Sequence, residues 1–297
     1  VTSVLLFSFI HASADVKPYA LLRTDWVKET AGNLDQTPTN ANANGPTGTV
    51  DSSKYVGGIN ETTSGISFRR TKVGAKMAES FDGADVKGKF EADFMGDRAN
   101  SNSITAQPRI VYAFVDLHEK MFGTHFLAGQ ADDIVAPLKP NTYSDGGSKM
   151  SGNVGYRRTQ MQLNKELFDM LKFELSAAKP YNDRETSGQF DYAGRLSFDT
   201  KDMWPVQAML GYGYVYGKDL RTDGGTKLVE NLVQVKALDL SLKGYGFQLN
   251  GEYYWGTNSD DYMGMQGYDT SKLTSLKETG WWTDLTYSRE NYSVTYG

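Results

Sequence analysis

The strongest constraint on the fold of this chain is a period-two alternation of apolar and polar residues along almost its whole length. In segment 247–255, Phe247 and Tyr253 lie on one face, while Asn250 and Glu252 lie on the other. Period two is the pattern of a β-strand with one apolar face, because successive side chains point to opposite sides. No stretch carries a long helical period with caps, so the sequence predicts an all-β fold.

The length and spacing of these segments indicate how the strands are arranged. About twelve segments follow residue 15, and one more begins at Tyr292; most have about 9 to 12 residues, the length that a tilted strand needs to cross a membrane. The connections alternate between short links and long loops rich in Asn, Asp, Gly, Ser and Thr. The long loops are predicted at about 28–64, 96–107, 132–154, 180–190, 217–229 and 256–279. A membrane β-barrel separates short turns from long loops in this way, whereas a soluble sandwich gives no reason for it.

The composition does not contradict a membrane barrel and excludes several other classes. The hydrophobic fraction is 39% and the mean hydropathy is −0.50, values typical of a soluble protein. In a membrane barrel, however, the lumen side of each strand is polar, so the average is lowered. The chain has no cysteine and 3 histidines, which excludes thiolate chemistry and leaves little room for a metal centre or cofactor. A pI near 5.3 argues against nucleic-acid binding.

The first 14 residues have the features of a cleaved secretion signal. Residues 1–10 form a short apolar run, and Ala12 and Ala14 give the small-x-small pattern that signal peptidase accepts. We therefore predict that residues 1–14 are a signal-peptide remnant and that residues 15–297 form one barrel domain outside the cytoplasm. A buried first strand is the alternative interpretation.

One segment departs from simple alternation. In segment 230–242, Val233, Val235 and Ala237 share one face, and Leu238 and Leu240 lie on the other. A β-bulge adds one residue to a strand and so reverses which face its later side chains occupy. The sequence predicts a bulge near Ala237.

This architecture resembles that of the Gram-negative outer-membrane porins, over essentially all of residues 15–297. The most specific local similarity is the strand end from His125 to Gln130, which leads through Asp132 and Asp133 into an acidic, Gly/Ser-rich loop. The resemblance implies an all-β, transmembrane antiparallel β-barrel of 16 strands, whose infolded loop 132–154 narrows the pore. It also implies a homotrimer in the cell outer membrane, in contact with lipid and lipopolysaccharide.

The end of the chain differs from that family. Those barrels usually finish in an aromatic residue, whereas this sequence stops at Gly297 within a strand. We therefore predict that 12 or 13 of the strands are present and that the barrel is truncated at its C-terminus; at about 20 residues for each strand and connection, roughly 60 to 90 residues would follow.

Placing the apolar face of each strand toward lipid assigns the opposite face to the lumen. The predicted basic lining consists of Arg23, Arg70, Lys72, Lys87, Lys89 and Arg158. The predicted opposing acids from the loop are Asp132, Asp133 and Asp145. Such facing charges would create a transverse field that sorts solutes by charge and dipole. The alternative is that lumen charges pair across strands only to satisfy one another.

Two functional hypotheses remain from the sequence, and neither is enzymatic. The first is a porin for passive diffusion of small hydrophilic solutes and ions. The second is a structural or surface-binding barrel, acting as a receptor, adhesin or partner platform without an open pore. A soluble β-sandwich is a third alternative. His118 and His125 do not suit a serine-activating site, and Asp260 with Asp261 lacks the ligand spacing of a calcium loop.

Overall fold

The computed structural model describes residues 15–29, 63–96, 107–140, 153–155, 157–180, 190–201, 205–222, 228–259, 275, 277–290 and 292–297. Residues 1–14 lie outside these ranges, so the predicted signal remnant is not part of the described structure. Within the described residues, no helix has the length and apolar character needed to span a membrane.

Thirteen strands of the described chain form one antiparallel sheet. Each of the thirteen pairs with the next member of the sheet along the chain, so that β1 pairs with β4 and β4 with β5. β1 and β15 are its two edges. The strands are β1 (Asp15–Leu21), β4 (Lys72–Ser80), β5 (Ala84–Gly96), β6 (Gln107–Glu119), β7 (Thr124–Asp132), β8 (Arg157–Leu167), β9 (Leu171–Ala178), β10 (Asp191–Asp199), β11 (Gln207–Thr222), β12 (Leu228–Gly244), β13 (Phe247–Thr257), β14 (Lys277–Arg289) and β15 (Tyr292–Tyr296). The predicted all-β, antiparallel architecture is confirmed.

A separate two-stranded sheet interrupts the first hairpin. β2 (Asp25–Glu29) pairs with β3 (Thr63–Ser67), apart from the pairing of β1 with β4. Between β3 and β4, the backbone N–H of Thr71 donates to the carbonyl of Phe68 at 2.9 Å and closes a turn. β4 begins at Lys72, so Arg70 lies in this turn and not in a strand.

The alternation of short and long connections is confirmed, with one correction. Short turns join β4 to β5, β6 to β7, β8 to β9, β10 to β11, β12 to β13 and β14 to β15. The predicted long loop 217–229 is much shorter, because β11 continues to Thr222 and β12 begins at Leu228. The two strands stay paired from Gln207 and Lys243 to their far ends. Backbone pairing here extends into a segment whose glycines and charges suggested a loop.

The sheet has one apolar face and one polar face. Large apolar side chains on the outward face are exposed, including Phe90, Val115, Phe126, Leu163, Leu196, Leu210, Phe247, Tyr253, Trp281 and Leu285. Side chains on the opposite face are mainly polar or charged, as the strand register shows for Gln162, Glu174, Arg195, Asp239 and Asn250. We call this second face the lumen face.

The predicted bulge near Ala237 is absent from the described pairing. β12 pairs in continuous register with β11 and with β13 across this position. Val233, Val235 and Ala237 therefore do belong to the lumen face, although they are apolar. The described sheet instead shifts register between Glu91 and Ala92, where β5 pairs with β6.

Candidate functional site

The segment that follows β7 lies on the lumen face of the sheet. Ile134, Val135 and Ala136 are buried and belong to one apolar cluster. The cluster also contains Val154, Ala193, Val215, Val233, Val235, Ala237 and Tyr254. Most of these partners sit on the lumen face of β10–β13, and the lumen-side residues of β8 and β9, such as Arg158 and Glu174, are buried as well. We call the lumen face of β8–β13 the covered wall.

A glycine in β11 permits this close approach. A Cβ atom added to Gly213 would lie 3.0 Å from both Cα and Cγ1 of Val135. Gly213 pairs with Arg195 on one side and Ala237 on the other, which fixes it on the lumen face. The missing side chain therefore provides the space in which the backbone of Val135 packs.

Ion pairs and hydrogen bonds hold the same segment at both ends. Arg158 Nε donates to Asp133 Oδ2 at 2.7 Å, and the two side chains are only 1% and 2% exposed. Arg158 Nη1 also lies 3.5 Å from Asp191 Oδ2. At the other end, the Leu138 N–H donates to Glu252 Oε1 at 2.9 Å. These contacts tie residues 133–138 to β8, β10 and β13.

A second buried charge network lies on the lumen face next to this segment. Arg195 Nη1 donates to Glu174 Oε2 at 2.9 Å, and Arg195 Nη2 donates to Asp239 Oδ1 at 2.6 Å. Removing either acid would leave a buried guanidinium with less compensation, a costly state in a poorly solvated site. This network links β9, β10 and β12 and is a structural part of the covered wall.

The lumen face of β4–β7 is different, and we call it the open wall. Lys72 Nζ and Lys89 Nζ lie 2.9 Å and 3.1 Å from the two oxygens of Glu91, but these lysines keep 34% and 24% of their side chains exposed. Lys89 Nζ also sits 3.7 Å from the centroid of the Tyr112 ring. A cleft of about 320 Å³ is lined by Lys89, Tyr112, Phe114, Leu127, Ala131, Asp132 and Gln162.

The structure brings together some of the residues predicted as lumen lining. Arg158 and Asp133 are in direct contact rather than on opposite sides of a gap. Lys72, Lys89 and Lys87 occupy the lumen face, where Lys87 lies opposite Asp116 in register.

Asp132, also predicted as lumen lining, lies at the end of β7. It accepts a hydrogen bond from the Tyr112 hydroxyl at 2.8 Å and pairs with Lys139 Nζ at 2.8 Å. Asp132 therefore lines the cleft together with Lys89 and Tyr112.

Other predicted residues do not join that group. Arg23 is exposed between β1 and β2, where its backbone N–H donates to Thr71 Oγ1 at 3.3 Å. Arg70 lies in the turn before β4. Asp145 lies outside the described residues. Their predicted role as pore lining stays a prediction.

Sequence reasoning missed the apolar part of the covered wall and two of its acids. Asp191 and Asp239 were not among the predicted lumen acids, yet both pair with buried arginines. The apolar run 134–136 was a usable signal. It matches the apolar character of Val233 and Val235 on the lumen side, whose pattern in the sequence predicted a bulge instead.

The comparisons with known proteins bear on the fold. No protein-family model matches the chain, and no curated protein is similar to it in sequence. Among solved structures, the outer-membrane channel DcaP of Acinetobacter baumannii aligns with a TM-score of 0.68 at 13% identity, covering 97% of this chain and 80% of that one. The chain has the fold of an outer-membrane channel barrel.

A second structure agrees with this assignment. A loop-deletion mutant of OmpT, an outer-membrane protein of Vibrio cholerae, aligns with a TM-score of 0.50 at 14% identity, covering 94% of this chain and 78% of that one. Within the described residues, no group of three or more His, Cys, Asp or Glu side chains is placed to hold a metal ion.

Proposed function

We propose that this protein lies in the bacterial outer membrane as a channel for passive diffusion of small hydrophilic solutes and ions. We further propose a homotrimer surrounded by lipid and lipopolysaccharide, as the resemblance to porins implies. The observation that carries the channel proposal is the division of one sheet into an exposed apolar face and a polar, charged face. Lipid contact favours the first face, and water favours the second.

The infolded segment supports a narrowed pore. Loop 132–154 begins at the end of β7, and its residues 134–136 pack against the covered wall. A chain segment inside a barrel reduces its cross-section, and the described anchors on Arg158 and Glu252 hold it there. Permeating solutes would then pass beside the open wall, where the side chains of Lys72 and Lys89 stay partly exposed.

The packed cluster also favours the second candidate, a barrel without an open pore. Val135, Val215, Val235 and Ala237 are completely buried, as in a filled interior. A barrel filled in this way would act as a structural element or surface-binding platform.

Planar-bilayer recording of the purified protein separates these two candidates. A diffusion channel predicts stepwise insertions whose conductance rises with salt concentration, and swelling of proteoliposomes in small sugars. Proteoliposomes prepared with heat-denatured protein are the control for leakage. Folded protein that inserts into vesicles without conductance or sugar entry would contradict the channel proposal and support the closed barrel.

A further inference from the structure

The two described histidines form a stacked pair at the short-turn end of the lumen face. His118 in β6 lies directly opposite His125 in β7, and their ring centroids are 4.2 Å apart with an interplanar angle of 9°. The register continues from His118 to Asp85 in β5 and from His125 to Asn164 in β8. The pair therefore belongs to one row of lumen-facing side chains near the turns that join β4 to β5 and β6 to β7.

Each imidazole already faces a carboxylate. His118 Nδ1 is 3.6 Å from Asp85 Oδ2, and His125 Nδ1 is 3.3 Å from Asp116 Oδ2. Both rings keep about a third of their side-chain surface exposed, so protons can reach them. Asn164 Oδ1 is buried and has no hydrogen-bond partner in the described structure. A protonated His125 has a second N–H group, and Asn164 lies on the neighbouring strand directly opposite it.

The other charged groups around the pair are largely committed to one another. They are Lys87 and Asp85 of β5, Asp116, Glu119 and Lys120 around the end of β6, Glu166 of β8, and Lys172 and Glu174 of β9. Lys120 Nζ pairs with Asp85 Oδ1 at 3.0 Å, and Glu119 accepts the N–H groups of residues 121 and 122 at 2.6 and 2.7 Å. Glu174 is held by Arg195 and Lys172 at 2.9 and 2.7 Å.

Imidazole is the side chain that changes charge between about pH 5 and pH 8. We propose that His118 and His125 form a proton-responsive charge at this mouth of the channel, which raises its preference for anions as the solution is acidified. Two added positive charges at one end of a narrow lumen would attract anions and repel cations. This inference rests on the proposed channel function and adds a regulation by pH to it.

Reversal potentials in a KCl gradient test the proposal at about pH 7.5 and about pH 5. The wild-type protein should show a roughly twofold or greater rise in the Cl⁻/K⁺ permeability ratio on acidification. His118→Gln and His125→Gln should each reduce that rise, and the double variant should abolish it. Lys165→Gln, beside Asn164 in β8 but on the outward face, should leave the acid response intact and is the matched control.

The outcomes separate this inference from the channel proposal. A protein that conducts but shows no pH response, or a double variant that keeps the full response, would overturn the proton-responsive mouth and leave the channel in place. A folded protein that conducts at neither pH would overturn both. Either single variant with a reduced response supports the pair even where the double variant folds poorly.

Discussion

The covered wall and the open wall of the lumen face use charge in opposite ways. On the covered wall, Arg158 and Asp133 are in contact and almost completely buried. On the open wall, Lys72 and Lys89 share Glu91 while keeping part of their side chains in water. Buried ion pairs are costly to break, and partly exposed ones contribute little stability. The first kind therefore holds the infolded segment, and the second kind stays partly accessible to water.

The largest effect is expected from breaking the anchor of the covered wall. Arg158→Leu would leave Asp133 and Asp191 buried beside an apolar side chain. Loss of one partner from a buried pair costs about 3–5 kcal/mol. We expect a lower denaturant midpoint for the protein in lipid vesicles, together with larger and noisier conductance steps as residues 133–138 detach.

The control for this change is the neighbouring residue in β8, which is less buried. Arg157→Leu removes the same charge, but the Arg157 guanidinium lies at the strand end, 5.6 Å from the Tyr112 ring centroid. Its loss should cost less than about 1 kcal/mol. Equal midpoints for the two variants would contradict the assignment of Arg158 as the anchor.

A smaller effect is expected from filling the space above Val135. Gly213→Val would place new atoms against Val135, because a Cβ at position 213 would already lie only 3.0 Å from Val135 Cα. Overpacking of this kind typically costs about 1–3 kcal/mol. Hydrogen exchange should then increase at residues 134–136 while β11 keeps its protection.

The matched glycine lies on the outward face of β10. A Cβ on Gly194 would have ordinary contacts, the nearest being Leu175 Cδ2 at 3.6 Å. Gly194→Val should therefore leave exchange at residues 134–136 unchanged. If both glycine variants changed exchange there to the same extent, the close packing of Val135 on Gly213 would not be what fixes the segment.

The difference between the covered wall and the open wall also shows which parts of the molecule were predictable from sequence. Alternation within a strand reports the contrast between its two faces, so the outward Phe247 and the lumen-side Asn250 were assigned correctly. The same rule failed in β12, because Val235 faces the lumen but is buried in the same apolar cluster as Val135. A local pattern shows that a side chain is buried, and it does not show whether lipid or an infolded segment covers it.

The position of Arg70 could not be predicted for a related reason. Alternation carries no information on where a ladder is interrupted, and the turn closed by Thr71 removes Arg70 from the strand. The pairing of Arg158 with Asp133 depends on the path of a loop across the lumen, which strand periodicity does not determine. Sequence identified both residues as charged lining but placed them on opposing surfaces.

The smallest effect on stability, and the clearest one on selectivity, is expected from the open wall. Lys72→Gln and Lys89→Gln each remove one cation from Glu91, which keeps the other lysine as a partner, so each should cost less than the roughly 3–5 kcal/mol expected for Arg158→Leu. Each should shift the reversal potential in a KCl gradient toward cations, because Glu91 would retain less compensation. Lys236→Gln removes the same charge from the outward face of β12, opposite Trp255 in register, and should leave the reversal potential unchanged. A shift as large for Lys236→Gln as for Lys89→Gln would mean that general surface charge, and not the open wall, sets the selectivity.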